Sequence, residues 1–368
     1  MKCCFFFNYN PLYRFPIYKK IEESFDCDFY FGNDGSPSIK QFIPELLEHY
    51  KGLLICVRFF QTPFTYYKDI KPLFCNQYEQ YIITGAPFCI TTWLLLAYCK
   101  IRRKKIYVWC HGLYDYVKKP FLRGFLKIYY TNMNGIFVYN HYSCPFMLDL
   151  GCKKERLHIV HNSLDTDLQS AIYDKCHASD IYRKHFTNDL PVVIYIGRVQ
   201  IRKKVDQLIY ACKELISNNN PVNLVIVGPN DDDESIGELV KSLNLESNVW
   251  FFGPSYDETV NAELLYNASV CVCPNGVGLS AIHSLSYGTP VVSNDDFAHQ
   301  MPEFESIINE QTGSFFMSNS ILDLSEHINK WVIKTDEERY KIRKMARKTI
   351  LEEWSVQYQL SILKKVLG

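Results

Sequence analysis

The chain has 368 residues, 47% of them apolar and 22% charged, with 40 basic residues against 40 acidic ones. This length exceeds one ordinary hydrophobic core and predicts two domains, while the composition excludes disordered and fibrous classes. Zero net charge says nothing about partners, so the distribution of the charges has to be read instead.

In chain order, MKCCFFFNYNP has an apolar part too short for a secretory signal and predicts a first strand, Cys3–Phe7. Strands follow at Cys27–Tyr30, Leu53–Val57, Tyr81–Thr84, Ile106–Trp109, Ile136–Tyr139 and Leu157–Val160, with amphipathic segments between them. The apolar stretch Ala86–Cys99 falls short of the ~20 residues of a membrane span. Between Glu79 and Asp149 the only acidic residue is Asp115, against Lys100, Arg102, Arg103, Lys104, Lys105, Lys118, Lys119, Arg123 and Lys127. Such a run is either a solvated face or a seat for an anionic partner. A phospholipid surface is preferred, and nucleic acid is not expected, because no nucleic-acid module accompanies the charge.

The second half repeats the alternation with Val192–Ile196, Leu224–Val227, Val249–Phe252, Val270–Cys273 and Pro290–Ser293. Alternating strands and helices throughout predict two doubly wound parallel sheets, Rossmann-like domains facing each other across a cleft. The domains are placed at 1–165 and 166–353, with a terminal helix at about 354–368 packing back on the first. Fourteen cysteines with no C-x-x-C pair predict reduced thiols, and Cys271 and Cys273 are read as small buried groups rather than metal ligands. A cytoplasmic chain is expected, peripheral on a membrane through Lys100, Arg102, Arg103, Lys104 and Lys105.

Two motifs carry chemistry. In VVIYIGRVQIRKK, Gly197 turns the chain at a strand end, and Arg198 and Lys203 then stand beside a helix start, where fixed cations and free N–H groups suit a diphosphate. In CVCPNGVGLSAIHSLSYGTPVVS, Gly276 and Gly278 precede a helix over Leu279–Tyr287, a second anion seat, and Gly288-Thr289-Pro290 ends that helix. The acidic run Asp231–Asp233 reads as a solvated helix cap, so no divalent metal site is expected and no cofactor.

These residues resemble the GT-B fold retaining glycosyltransferases of family 4. IGRVQIRKK is similar to the family's G-R-x-x-x-x-K segment, and NGVGLSAIHSLSYGTPVV to its E-G-x-G-L-x-x-x-E-A-x-A-x-G-x-P-V-V segment. VWCHG and GIFVYNHYSCPFMLDLGCKKERLHIVHNSLD carry weaker similarity. The resemblance implies a hexose-type transfer from a nucleotide-sugar to a glycan or lipid-linked saccharide, with retention at the anomeric carbon, as in surface polysaccharide synthesis. It implies that Arg198 and Lys203 hold the diphosphate and that Gly197, Asn275, Gly276, Val277, Gly278, Leu279, Ser280 and His283 line the donor site. His111, ending KIYVWC, would bond the transferred sugar.

Two departures stand out. The family's two glutamates fall on Asn275 and His283, neutral groups that hydrogen-bond without fixed negative charge. The usual glycine pair after the first strand is replaced by NYNPLYRFPIYKK, where Tyr13 and Arg14, with Asp115 nearby, are assigned to the acceptor side, or else Tyr13 and Arg14 form a packed aromatic entry to the first helix. Pro302-Glu303 falls where the family often has a Pro-Glu pair, and Asp295, Asp296 and His299 border the cleft or belong to a solvated loop. Two other functions compete: a nucleotide-sugar-binding subunit without turnover, and a sugar-nucleotide epimerase on the same fold.

Overall fold

The computed structural model describes residues 1–35, 39–230 and 235–368; the Asp231–Asp233 run lies outside the described residues. The chain forms two compact units, Met1–Leu164 with Val356–Gly368, and Asp165–Ser355.

The strands of the first unit are β1 (Cys3–Phe7), β2 (Cys27–Gly32), β3 (Tyr50–Leu54), β4 (Cys56–Arg58), β5 (Thr65–Tyr67), β6 (Gln80–Thr84), β7 (Lys105–Cys110), β8 (Gly135–Val138) and β9 (Leu157–Ile159). Seven make one parallel sheet in the order β3-β2-β1-β6-β7-β8-β9. All five residues of β1, CCFFF, are buried, because a central strand is covered on both faces and so reads as a continuous apolar run. Cys4 and Phe6 enter one core with Leu95, Tyr129 and Met147, while Phe5 and Phe7 enter the other with Ile17, Tyr18 and Leu363.

The terminal helix Val356–Leu367 packs against the helix Phe15–Ser24 in that second core. Three buried bonds fasten it. Gln359 Nε2 donates to the His161 carbonyl at 2.8 Å, Ser163 Oγ donates to Gln359 Oε1 at 2.6 Å, and Gln80 Nε2 donates to the Leu367 carbonyl at 2.8 Å.

The expected strand Leu53–Val57 divides in two. Leu53 and Leu54 close β3, whereas Cys56 opens the antiparallel hairpin β4–β5. The cause is hydrogen bonding across the break: Asn33 Oδ1 takes the Cys56 N–H at 2.7 Å, and the Ile55 carbonyl accepts from Lys68 at 2.9 Å. The backbone groups of this stretch are thereby withdrawn from the main sheet.

The second unit contains β10 (Val192–Ile196), β11 (Asn223–Val227), β12 (Val249–Gly253), β13 (Val270–Cys273), β14 (Val291–Asn294) and β15 (Gly313–Phe316). They form a parallel sheet in the order β12-β11-β10-β13-β14-β15. Strand β15 was not anticipated, being four residues with two of them Gly and Ser; Phe316 alone carries it into the core. In each sheet the strand order reverses once, between β1 and β6 and between β10 and β13. Those switch points are where a crevice opens at the carboxyl ends of the strands.

None of the fourteen cysteines is disulfide-bonded. No helix of the described residues is long and apolar enough to cross a membrane.

Gly288 ends the helix Leu279–Ser286 with φ +77, and a Cβ there would fall 2.1 Å from Arg343 Cγ and 3.0 Å from the Arg343 Cα. Gly288→Ala should therefore lower unfolding stability by about 2–4 kcal/mol, since strain in φ adds to a clash with backbone. Urea denaturation measures this; a change within experimental error would contradict it.

Candidate functional site

At the end of β10 the chain turns at Gly197, and the carbonyl of Gly197 lies 1.9 Å from where a Cβ on Gly228 would stand. Only glycine at 228 lets the turns after β10 and β11 touch. Tyr195 Oη donates to the Arg198 carbonyl at 2.7 Å, and the Val199 N–H to that of Pro229 at 2.9 Å, which fixes the loop. A 3₁₀ turn over Ile201–Lys203 then leads into the helix Val205–Ser217. Both Arg198 and Lys203 are partly buried.

The neighbouring strand in the sheet, β13, ends in the second turn. Gly276 adopts φ +61, and its carbonyl accepts from Lys203 Nζ, so the cation of the first motif closes onto the second. Asn275 reinforces the join: its Nδ2 donates to the Arg202 carbonyl at 2.8 Å, and its Oδ1 accepts from Asn294 Nδ2 at 2.8 Å. The amide at 275 thus ties turns together at both of its ends.

Beneath the turn, buried Gln300 acts as a buckle. Its Oε1 takes the Val277 N–H at 2.6 Å while its Nε2 donates to Ser293 Oγ and the Asn294 carbonyl, both at 2.9 Å. Val277 is fully buried, so it supports the turn from the core side. Gln300 and Asn294 carry no motif that would mark them in the sequence.

The helix Leu279–Ser286 has no side-chain cap at Gly278; the Ala281 N–H donates to the Gly278 carbonyl at 2.9 Å, and the Leu279 and Ser280 N–H groups are the ones an anion could meet. Ser280 Oγ sits 3.3 Å from Cys273 Sγ. Burial lowers the Lys203 pKa, and the Arg202 and Arg198 charges act in the same direction, against opposing contributions from Cys273 and Glu303. An anionic ligand would relieve that crowding of cations. Glu303, buried, has its Oε2 3.9 Å from where a Gly278 Cβ would lie, so Pro302-Glu303 abuts the glycine turn. Asp295 Oδ1 instead accepts from the Ser318 N–H at 2.9 Å, and Asp296 pairs with His299 at 2.9 Å on the surface.

One helical turn beyond Leu279, His283 Nε2 lies 3.0 Å from Glu258 Oε1. The same oxygen accepts from Tyr287 Oη at 2.7 Å and Gln169 Nε2 at 3.0 Å. Burial alone would raise the Glu258 pKa, but His283 and the donated hydrogen bonds outweigh it and the net shift is downward, so Glu258 is a carboxylate. A negative charge missing at position 283 is therefore present beside it, from residue 258. Nothing in the spacing of the two could have shown this.

In the first unit, His111 follows β7 and remains accessible to solvent, yet desolvation by its dense surroundings, with the Arg14 charge, lowers its pKa to about 4. It is therefore a neutral imidazole at pH 7. Arg14 and Tyr13 belong to the loop after β1, and Asp115 is exposed, its Oδ1 accepting from the Tyr116 N–H at 2.6 Å. Among the described residues no group of three or more His, Cys, Asp or Glu is placed to hold a metal ion.

Glu258→Gln keeps the acceptor oxygen but removes its charge, and should cost about 1–2 kcal/mol at neutral pH. Because the folded pKa lies below the ordinary 4.5, this contribution is fully present above pH 4.5 and is lost as pH falls through the lowered value. Stability curves of the two proteins should converge in acid; a constant gap across that window would contradict the assignment.

Residues 179–349 match the family model described as Glycosyl transferases group 1. No curated protein matches the chain in sequence. Among solved structures, the chain is similar over 100% of its length to 99% of the Anabaena protein HepE in complex with UDP, at 16% identity and a TM-score of 0.72. A glycosyltransferase from Rickettsia africae is matched over the same shares at 14% identity and 0.71. The lipopolysaccharide outer core galactosyltransferase WaaB is matched likewise at 15% and 0.70. At such identities these likenesses establish the fold, which is GT-B. With a group 1 glycosyltransferase domain set in that fold, the chain is a glycosyltransferase.

Proposed function

We propose that the chain transfers a hexose-type sugar from a nucleotide-sugar to a glycan or lipid-linked saccharide, with retention at the anomeric carbon, in surface polysaccharide synthesis. The observation that carries this is the meeting of two glycine-bearing turns, the first of them cationic, at the switch point between β10 and β13, with Lys203 bonded to the Gly276 carbonyl. HepE has been solved with UDP and with UDP-glucose, and WaaB is a galactosyltransferase of lipopolysaccharide, which supports the donor class and the biosynthetic setting.

In this mechanism the leaving diphosphate gathers negative charge as its bond to the anomeric carbon breaks. Arg198, Lys203 and the first turn of Leu279–Ser286 meet that charge without reorganising. The acceptor hydroxyl approaches the same face and gives its proton to the departing phosphate. Neutral His111 hydrogen-bonds the transferred sugar. Family 4 membership and a cytoplasmic location complete the reading.

A nucleotide-sugar at one hundred times its dissociation constant should stabilise the protein by about 2.7 kcal/mol. Thermal shifts across nucleotide-sugars and nucleoside diphosphates should identify one such donor, and Lys203→Ala should weaken it roughly tenfold or more. Absence of any stabilising nucleotide would overturn the reading. Binding with neither transfer nor slow hydrolysis would favour the partner-subunit alternative.

The basic run extends the proposal to an anionic membrane surface. Arg102 Nη2 donates to Asn76 Oδ1 at 2.7 Å, and Lys104 Nζ donates to the Asn76 carbonyl at 3.0 Å and to that of Tyr78. Those two therefore hold a loop, whereas Lys100, Arg103 and Lys105 are exposed beside Ile101, itself 79% exposed. Replacing Lys100, Arg103 and Lys105 by Ser should remove about 1 kcal/mol of membrane attraction per charge. Sedimentation with phosphatidylglycerol vesicles checks this, and unchanged sedimentation would eliminate the membrane role.

A further inference from the structure

The loop after β1 lies at the first unit's own switch point. Asn8 is tied to the end of β6, its N–H donating to Thr84 Oγ1 at 3.1 Å and its Oδ1 accepting from the same hydroxyl at 3.2 Å. The following 3₁₀ turn, Leu12–Arg14, places the Arg14 guanidinium carbon 5.2 Å from the ring centre of Trp109, 5.3 Å from that of Tyr139 and 6.0 Å from those of Phe7 and Tyr13. Phe7, Trp109 and Tyr139 are buried and back the cation, while Tyr13, Arg14 and His111 keep accessible surface.

No carboxylate of the described residues lies within ion-pair distance of Arg14. The groups that act on its charge are the tyrosines 9, 13 and 18, and the fully buried Tyr18 hydroxyl beside it makes no well-aligned hydrogen bond. A partly buried cation ordinarily has a counter-charge or gives way to an apolar residue. Here the cation is held by rings, at the carboxyl ends of central strands, with no carboxylate of the described residues paired to it.

The geometry points to an anion subsite: the Arg14 fork, with Tyr13 and His111 at its accessible side, receives a carboxylate or phosphate borne by the acceptor saccharide. Guanidinium pairs with either group through two parallel N–H bonds, and the aromatic wall suits the apolar face of a sugar ring. Calling the ligand an acceptor rests on the transfer reading above; the anion preference does not.

Titration calorimetry with glucuronate, glucose 1-phosphate and glucose tests the subsite in the full chain. At least one acidic sugar should bind roughly tenfold tighter than glucose, and the stronger of the two identifies the anion. Arg14→Met should abolish that preference while melting at or above the wild-type temperature, because it removes an uncompensated charge and keeps the packing. Lys203→Ala should weaken nucleoside diphosphates and leave the acidic-sugar preference in place. The subsite is overturned if acidic sugars bind no tighter than glucose, if Arg14→Met retains the preference, if Lys203→Ala abolishes it, or if Arg14→Met melts more than about 5 °C lower, which would make Arg14 a packing residue. Loss of nucleotide binding throughout would indict the transfer reading alone.

Discussion

The contact between Lys203 and the Gly276 carbonyl joins two turns that are 73 residues apart in sequence, and the rest of the second unit is arranged to make it possible. Strands β10 and β13 must be neighbours for their carboxyl ends to meet, and the sheet order supplies this. Glycine at 228 lets the β11 turn press against Gly197, and Asn275 ties its turn to Arg202. Gln300 then fills the space below with hydrogen bonds, so that Val277 is held from the core side and the helix N-terminus stays uncapped. Cations and the start of the helix Leu279–Ser286 converge there, with buried Glu303 beside the glycine turn.

The two positions at which the chain departs from its family resemblance come out differently. Asn275 has both ends of its amide occupied by neighbouring turns, so its contribution is to shape. At His283 an imidazole stands where a carboxylate was expected, and Glu258 brings a carboxylate to it from another helix. Three donors, from Gln169, His283 and Tyr287, share one oxygen of that carboxylate. The local charge of this part of the site is a property of packed helices, and no single position carries it.

Much of the fold was legible. Strands buried on both faces appear as continuous apolar runs, and those runs located most strands of both sheets to within a residue or two. The failures were at weakly patterned places: Leu53–Val57, where hydrogen bonds from Asn33 and Lys68 divide one apolar run, and Gly313–Phe316, where four residues are too few for a pattern. The glycine turns and their adjacent cations were also legible, because each motif is contiguous. Their partners, Gln300, Asn294 and Glu258, were not.

By itself, then, the sequence determined the α/β class, the two parallel sheets and the positions of the two glycine turns, because burial periodicity and turn chemistry act over a few neighbouring residues. Only the tertiary structure decided that Lys203 closes on Gly276, that Glu258 stands beside His283, and that Arg14 is backed by rings with no carboxylate of the described residues within ion-pair distance. Those relations join residues far apart in the chain, and they follow from strand order and helix packing, which local periodicity does not encode.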